Sequence, residues 1–522
     1  MIFRQLPTLA FNLVFLWQMK KLMRSKRQRF TIIFLALLSL LCHGLTAQQL
    51  QTFSAEALKE DFKVFKNSIQ DVHPGLYWYS DSAAIAQRFD KIESSIKEGM
   101  DIRDWYASLQ EFYAQINCGH SWMSMPAAWV RPLDQGPYQL PIDIYFGEGK
   151  YTIQNDFTAE QKLAAGSQLV GINGQAFDKV FKSLWQYAPS DGFNQTRRKG
   201  IIAGNFSRYY QTFIQMDSVF SLSVQSPDGQ VTEVQVSGIA KTVKDSLRKE
   251  IQGEPQGWWS RPLAEFEMME NATGYLRLHT FAKGWLKSQK INYDKFLKES
   301  FARLKSENAQ SLILDLRGNG GGDDLLGAKL CRYLIATEFN YFDRMEAVTS
   351  KFKYKDYSSS KWLNLAGVLF KKDKAQPGKF TFNYHRGLKT QKPEKDAFKG
   401  QLIVLTDGGT FSTAADVASI LHANDRGTFM GEEVGGGYYG NNSAVQYHIQ
   451  LPNSKINYYI PVIRYYSSVD FPDFYGHGVK PDIAVSQSYE ASMAGNDTVL
   501  EAAKAQLSKR QLIVHHKASE NQ

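Results

Sequence analysis

Two segments of the chain share one pattern, a buried strand followed by a glycine turn and a helix, and this pattern constrains the fold most. The first reads SLILDLRGNGGGDDLLGAKLCRYLI (311–335), and the second reads QLIVLTDGGTFSTAADVASIL (401–421). Strands that alternate with helices favour a parallel sheet, and ligands bind beyond the carboxyl ends of its strands. The sequence therefore predicts an α/β domain over 258–488, with a site where the two turns meet.

The rest of the chain divides into regions of different periodicity, because 522 residues are too many for one core. Apolar residues recur at helical spacing over 48–135, whereas 138–240 alternates like strands and carries a PDG turn. Residues 489–522 are expected to form a carboxyl-terminal tail. The predicted fold class is multidomain α+β, with an N-terminal helical region, a β module and a C-terminal α/β domain.

Residues 1–47 have the features of a signal peptide. A basic stretch, KKLMRSKRQR, precedes the apolar run FTIIFLALLSLLC, and LTA ends at a small residue, Ala47. The run is short for a membrane span, although an uncleaved anchor is the alternative. Translation from Met19 instead of Met1 would give a more ordinary signal peptide. We expect an exported protein, periplasmic or secreted, without a membrane span after cleavage near Ala47.

The net charge does not indicate a nucleic-acid partner. Seven basic residues and no acid lie in 1–47, so removing this segment reduces the formal charge from +9 to +2. Two cysteines remain, too few for a disulfide framework. The chain has no CxxC, HExxH or EF-hand pattern, and we expect neither a metal nor another cofactor.

The glycine loop GNGGG after the first strand allows close approach of a ligand to the backbone, and N–H groups at the start of the next helix favour a negative charge. It has neither the GxxxxGK nor the GxGxxG spacing of nucleotide loops, and Asp323 and Asp324 would repel a phosphate. A transient oxyanion is the better ligand. A simple tight turn is the structural alternative.

Ser412 begins the helix after the second turn, and it has two interpretations. Serine is a common N-cap, and Thr413 with Asp416 fits the capping pattern [ST]-x-x-[DE]. Alternatively, Ser412 is a nucleophile whose developing anion the helix dipole stabilises. The sequence is not the GxSxG elbow of the α/β-hydrolases. A facing glycine loop with backbone donors favours the nucleophile.

Several motifs together resemble the tail-specific (C-terminal processing) serine peptidases and their tricorn-like relatives. These are DLRGNGGG, then TDGGTFSTAAD about 90 residues later, then GEEVGGG and GHGVKPDIAV. AAGSQLVGINGQAF resembles the PDZ-like module of that family, and VHPGLYWYS and INCGHSWM resemble its N-terminal helical region. The resemblance extends, with gaps, from about residue 60 to 488. It implies a PDZ-like module over 138–240 and a crotonase/ClpP-like catalytic domain.

The resemblance also implies roles for individual residues. Ser412 would be the nucleophile, and backbone N–H groups near Gly320 or Gly321 and at Thr413 would form the oxyanion hole. One branch of the family takes its base from a lysine 25 residues after the serine, where this chain has Gly437. No lysine occurs between Ser412 and Lys455, so a serine–lysine dyad is not expected.

The tricorn-like branch uses a histidine from the N-terminal region instead. CGHS supplies His120 beside Ser121 in the matching place, and a neutral imidazole is a suitable base near pH 7. Alternatively, His120 is a surface or core residue without a catalytic role. His279 and His477 are the other candidate bases.

The third catalytic residue is less well defined. The family often has Glu in an EGxGVxPD context, whereas this chain reads FPDFYGHGVKPD, with Tyr475 at that position. Asp470 or Asp473 is the possible substitute that orients the histidine. The absence of this Glu leaves open a slow or inactive enzyme.

The sequence thus predicts a serine endopeptidase that cleaves exported peptides or proteins through an acyl-enzyme on Ser412. The alternative is a catalytically weak or inactive peptide- or ligand-binding protein on the same scaffold. The third hypothesis, a nucleotide-binding enzyme, is supported only by the glycine loop. Substrate and oligomeric state are not predicted.

Overall fold

The computed structural model describes residues 51–252, 261–470 and 472–508. The signal peptide predicted over 1–47 lies outside these ranges, as do residues 509–522 of the predicted tail. The described chain is a mixed α/β protein, and its larger sheets have six strands each. No helix within the described ranges is long and apolar enough to cross a membrane.

The N-terminal region is helical, with one short strand before its helices and two between them. Its elements are β1 (Thr52–Phe53), α1 (Ala55–Val72), α2 (Ser82–Ser95), β2 (Met100–Asp101), α3 (Ile102–Gln115), β3 (Trp122–Ser124) and α4 (Ala127–Gln135). Ser54 caps α1 by accepting a hydrogen bond from the Ala57 N–H. Leu58, Phe62 and Phe65 are buried along one side of α1, as the helical spacing of its apolar residues predicts.

The second region contains an antiparallel sheet together with helices. Its elements are β4 (Ile142–Gly147), β5 (Lys150–Asp156), β6 (Gln168–Ile172), β7 (Gln175–Ala176), α5 (Phe177–Ser183), α6 (Gln195–Gly204), α7 (Phe206–Phe213), β8 (Val219–Gln225), β9 (Val231–Ser237) and α8 (Lys241–Gln252). The sheet order is β4-β5-β6-β8-β9, and β7 pairs with β6. Strand residues such as Ile153 and Leu222 share one core with Phe177 of α5 and Phe206 of α7. The alternation in the sequence indicated the strands but not the three helices between β7 and β8.

The third region is the α/β domain that the two strand-turn-helix segments predicted. Its elements up to the second segment are β10 (Ala264–Met269), β11 (Thr273–Leu278), α9 (Lys283–Ser288), α10 (Tyr293–Ser306), β12 (Ser311–Asp315), α11 (Asp324–Leu334), β16 (Gln401–Thr406), α13 (Thr413–Ala423) and β17 (Thr428–Gly431). The sheet order is β10-β11-β12-β16-β17-β20, where β20 is Ile483–Ala484. All neighbours are parallel except β10 with β11.

The register of this sheet brings the two turns together. Asp315, the last residue of β12, pairs with Leu405 of β16. The loops that follow the two strands therefore leave the same edge of the sheet side by side. This is the carboxyl edge, where parallel sheets bind ligands.

A further sheet lies outside the alternating pattern. Its remaining elements are β13 (Phe342–Ala347), α12 (Leu363–Ala366), β14 (Lys371–Lys372), β15 (Phe380–Thr381), β18 (Asn442–Gln450) and β19 (Asn457–Ser467). The order is β14-β15-β13-β19-β18, and β3 of the helical region adds to β19. This last pairing matches Trp122 with Tyr459 and Met123 with Tyr458. It attaches the chain just after His120 to the C-terminal half of the protein.

Part of the segment predicted as a carboxyl-terminal tail is ordered. Tyr489–Met493 forms α14, and residues 498–508 are helical. Val499, Ala503 and Leu507 pack in one apolar cluster with Ile313 of β12 and Ile403 of β16. The helix 498–508 therefore covers one face of the parallel sheet.

Candidate active site

The turns after β12 and β16 are joined by hydrogen bonds. Asp407 Oδ1 accepts from the N–H groups of Gly318 and Gly409, each at 2.9 Å. The Phe411 N–H donates to the Asn319 carbonyl at 2.9 Å. The Asp407 carboxylate and one backbone hydrogen bond thus hold the two turns together. The glycine loop and Ser412 are therefore fixed relative to each other.

The glycine loop packs directly against Ser412. Gly321 has a φ of +95°, and a Cβ there would lie 2.6 Å from the Ser412 Cβ, so only glycine fits. Its N–H donates to Asn319 Oδ1 at 2.9 Å, and Asn319 Nδ2 donates to the Leu278 carbonyl at 2.8 Å. The Gly321 N–H is therefore occupied within the loop. Sequence reasoning missed Asn319, whose only signal was its place inside RGNGGG.

Two other predicted oxyanion donors differ from Gly321. Within the described ranges, no acceptor is found for the N–H of Gly320 or of Thr413. Thr413 is the first residue of α13, where a helix leaves its N–H groups unpaired. A Cβ on Gly320 would meet nothing within 4 Å, so this part of the loop is open.

Ser412 does not cap α13. Its side chain makes no capping hydrogen bond, and its backbone has φ 54° and ψ −129°. A positive φ is uncommon for a residue other than glycine and marks local strain, which clusters at functional sites. Asp416 does not complete a capping box either: it is buried and approached by Asn441 Nδ2 at 3.3 Å. The structure thus favours the nucleophile over the helix cap.

The structure brings His120 to Ser412. Nε2 of His120 lies 3.0 Å from Oγ of Ser412, which is hydrogen-bonding distance for a nucleophile and its base. The imidazole also stacks on the ring of Phe411, with centroids 4.6 Å apart. Because β3 begins two residues after His120 and pairs with β19, the histidine is held by the sheet rather than by a free loop.

Asp191 anchors the histidine loop from the other side. Its Oδ1 accepts from the Gly119 N–H at 2.7 Å, and its Oδ2 lies 3.4 Å from the Gly437 nitrogen. Burial raises the pKa of this carboxyl to about 6, although the two N–H groups act against the shift. Sequence reasoning missed Asp191, because SDG (190–192) indicates only a turn.

The electrostatic setting of His120 favours a neutral imidazole. Burial of the ring lowers its pKa to about 3, and the positive charge of Arg197 adds to the shift. Its Nδ1 is buried and has no hydrogen-bond partner among the described residues. Neutral imidazole is the form that accepts a proton.

The structure does not bring the suggested orienting acids to His120. Asp470 and Asp473 are both exposed, and neither donates to or accepts from the histidine. Tyr475 is 52% exposed, and its hydroxyl donates to the Trp78 carbonyl at 2.7 Å. The loop that carries these residues thus leaves Nδ1 of His120 unbonded.

The two other candidate bases have different partners. His279 Nε2 lies 3.2 Å from Glu265 Oε1, and His477 Nδ1 lies 3.0 Å from Glu433 Oε1. Neither histidine is hydrogen-bonded to Ser412. Of the three candidates, only His120 is within reach of the serine.

A strained serine at a helix start, a neutral histidine within hydrogen-bonding distance and unpaired backbone N–H groups beside them are the parts of a serine hydrolase site. Residues 272–485 match the sequence profile of Peptidase family S41. The chain carries an S41, tail-specific serine peptidase domain, and it is accordingly a hydrolase. No curated protein sequence gave a significant match.

Three solved structures match this chain at low sequence identity. Mature CPAF is 14% identical with a TM-score of 0.55, over 82% of this chain and 93% of that chain. CPAF complexed with lactacystin is 15% identical with a TM-score of 0.56, over 82% and 94%. The photosystem II D1 C-terminal processing protease is 17% identical with a TM-score of 0.36, over 82% and 93%. The two CPAF structures extend the likeness of fold beyond the S41 domain.

Proposed function

We propose that the protein is an exported serine endopeptidase in which Ser412 is the nucleophile and His120 its base. The observation that carries the proposal is the 3.0 Å distance between His120 Nε2 and Ser412 Oγ. A serine hydroxyl is a weak nucleophile until a base takes its proton, and a neutral imidazole at this distance performs that step. Export rests on the signal peptide predicted over 1–47.

The proposed mechanism assigns a group of the protein to each step of peptide hydrolysis. Ser412 Oγ attacks the scissile carbonyl carbon while its proton moves to Nε2 of His120. The N–H groups of Gly320 and Thr413 are the proposed donors to the resulting oxyanion. His120 then gives its proton to the leaving amine, which leaves an acyl-enzyme. Water attacks the ester, passes a proton to His120, and the acid product departs as Ser412 regains its proton.

The region 138–240 is proposed to be a PDZ-like module that binds the carboxyl-terminal end of a substrate by strand addition. Two features support this. β4 is an edge strand of its sheet, and a cavity of about 740 Å³ beside it is lined in part by Ile144, Phe146 and Phe206. Lys244 Nζ donates to the carbonyls of Leu140 and Ile142, so a peptide would pair with the later residues of β4.

Labelling with a fluorophosphonate probe tests the catalytic proposal, because such probes react with a serine activated by a base and an oxyanion hole. We expect labelling of the chain from Gln48 onward, and its loss in Ser412→Ala and in His120→Ala. His279→Ala and His477→Ala are the matched controls and should label as the wild type does. Loss of labelling in one of these, with retention in His120→Ala, would assign the base elsewhere.

The second candidate is a catalytically weak or inactive binding protein on the same scaffold. The unbonded Nδ1 of His120 favours it, since an orienting partner normally fixes the tautomer of a catalytic histidine. Folded wild-type protein that the probe does not label, but that binds peptides, would support this candidate. Catalytic hydrolysis of any peptide, abolished in Ser412→Ala, would exclude it.

A further inference from the structure

Arg197 occupies a fixed position at the start of α6. Its backbone N–H donates to Oδ1 of Asn194, the N-cap of the helix, at 2.8 Å. Asn194 Nδ2 in turn donates to the Val434 carbonyl at 2.8 Å and to Glu433 Oε1 at 2.9 Å. The start of α6 is therefore attached to the GEEVGGG segment of the peptidase domain, and the Arg197 backbone is held against it.

The guanidinium of Arg197 lies at the candidate active site. Its central carbon is 4.1 Å from the centre of the Phe411 ring, and Phe411 directly precedes Ser412. The His120 imidazole stacks on the same ring. Arg197 is also close enough to His120 to lower the pKa of the imidazole. A positive charge thus lies beside the reacting groups.

This guanidinium has no hydrogen-bond acceptor in the described part of the chain. Its Nε is buried and unpaired, and no carboxylate within those ranges forms an ion pair with Arg197. The neighbouring Arg198 differs, since it donates to Ser190 Oγ at 2.8 Å and to Asn117 Oδ1 at 2.7 Å. The two neighbouring arginines therefore have different contacts. Arg198 is hydrogen-bonded to the loop that carries His120, whereas the guanidinium of Arg197 stacks on the Phe411 ring without a hydrogen bond to the described residues.

The two carboxylates that act on Arg197 most strongly already accept other hydrogen bonds. Asp191 accepts from the Gly119 N–H, and Asp407 accepts from the N–H groups of Gly318 and Gly409. Both act on Arg197 through space without a direct contact. They offset part of the cost of burying the charge, but the buried Nε of Arg197 still has no partner in the described part of the chain.

Such an arrangement is costly unless a ligand completes it. A buried polar group without a partner is unfavourable, and a cation in the first turn of a helix opposes the helix dipole. A guanidinium group can form two parallel hydrogen bonds with a carboxylate. When its flat face stacks on an aromatic ring, the N–H groups at its edge stay available for such binding. The partner that this geometry suits is a planar anion, and a peptide substrate can supply one.

We propose that Arg197 binds a carboxylate of the substrate next to the scissile bond. This inference rests on the proposed peptidase function of Ser412 and adds to it a substrate class, peptides with a carboxylate near the cleavage site. The carboxylate is either the peptide's own carboxyl terminus or the side chain of an aspartate or glutamate. Both sources present the same planar, bidentate group to the guanidinium.

Protection of Ser412 from fluorophosphonate labelling tests the proposal without a known substrate. Three pools of random hexapeptides serve as competitors: one free of Asp and Glu with a free carboxyl terminus, the same pool as carboxamides, and carboxamides with one fixed glutamate. In the wild type, at least one carboxylate pool should slow labelling at least tenfold more than the plain carboxamides, which corresponds to about 1.4 kcal/mol. The first pool reports terminal recognition, and the third reports side-chain recognition.

The variant Arg197→Gln should remove this difference between the pools. Protection is compared within each variant, so any change in the basal labelling rate cancels. Lys199→Gln removes a charge two residues further along α6, where no partner is recorded, and should keep the preference. Arg197→Lys keeps the positive charge but cannot form two parallel hydrogen bonds, so it should show a reduced preference for the carboxylate pools. It replaces Arg197→Gln in the test if that variant does not fold.

The outcomes separate this inference from the proposed function. Absence of labelling in the folded wild type rejects the peptidase proposal and this inference with it. Labelling that all three pools slow equally, or that none slows, rejects the carboxylate proposal and leaves the peptidase intact. A preference that persists unchanged in Arg197→Gln places carboxylate recognition elsewhere, such as the 138–240 module, and also overturns the proposal.

Discussion

Nε2 of His120 lies 3.0 Å from Oγ of Ser412, although 292 residues of sequence separate them. The serine follows a strand of the parallel sheet, whereas the histidine comes from the N-terminal helical region. Three contacts bring them together: the pairing of β3 with β19, the stacking of the imidazole on Phe411, and the bond from the Gly119 N–H to Asp191. The site therefore depends on how separate regions pack.

The pH dependence of labelling should reflect the lowered pKa of His120. A base works only above its own pKa, and burial places that of His120 at about 3 instead of 6.5. The labelling rate should consequently persist below pH 6 and fall only as the pH approaches the lowered value. Asp191, with a pKa of about 6, titrates nearby, so Asp191→Asn is measured in parallel. Half-maximal labelling at pH 6.5 or above in folded Asp191→Asn protein would contradict the assignment.

Substitution of the two loop glycines should have unequal effects. A Cβ at Gly321 would lie 2.6 Å from the Ser412 Cβ and 2.8 Å from the Thr413 nitrogen, whereas at Gly320 it meets nothing within 4 Å. Gly321→Ala should therefore abolish labelling and lower Tm, since both the loop and Ser412 must shift. Gly320→Ala keeps its N–H and should melt like the wild type. Equal Tm values for the two variants would show that the loop is less tightly packed than described.

Removal of the Asp191 carboxylate should destabilise the protein and slow labelling. Asp191→Ala leaves the partly buried Gly119 N–H without its acceptor, which should cost about 1 kcal/mol. Asp191→Asn keeps one oxygen that can accept from the Gly119 N–H, so its free energy of unfolding should fall by less than that of Asp191→Ala. Urea denaturation measures the stability of each variant, and the probe measures the rate. A stability of Asp191→Ala equal to that of the wild type would argue against an anchoring role.

Asp470 and Asp473 should be dispensable for activation of the serine. Both are exposed, and Nδ1 of His120 has no bond to either. Asp470→Asn and Asp473→Asn should each label within about twofold of the wild-type rate, since surface substitutions away from a site change little. A loss of tenfold or more in one variant would identify it as the orienting acid after all.

The pair His73 and Ser121 should stabilise the histidine loop. His73 Nδ1 accepts from the Gly75 N–H at 3.1 Å, so its Nε2 carries the proton that Ser121 Oγ accepts at 2.8 Å. Ser121→Ala would leave that buried N–H unpaired and should lower the free energy of unfolding by about 1–3 kcal/mol. Ser94→Ala, at an exposed serine of α2, is the control and should change it by less than about 0.5 kcal/mol.

The sequence by itself determined the elements on which the site is built. The runs SLILD and QLIVLT are short, apolar and followed by glycines, which together favour buried strands that end in turns. These local properties predicted β12, β16, α11 and α13, and they predicted that the glycine loop faces Ser412. The alternation over 138–240 likewise predicted the strands of a β module. Each of these features depends on near neighbours in the chain.

The tertiary structure alone decided which groups complete the site. It showed that the Gly321 N–H is taken by Asn319, that Asp191 holds the histidine loop, and that Nδ1 of His120 has no partner. It also revealed the hairpin of β18 and β19, whose pairing with β3 places His120. Such contacts join segments far apart in sequence, and their geometry depends on strand register and packing rather than on any local pattern. The residue types were visible in the sequence, but the distances between them were not.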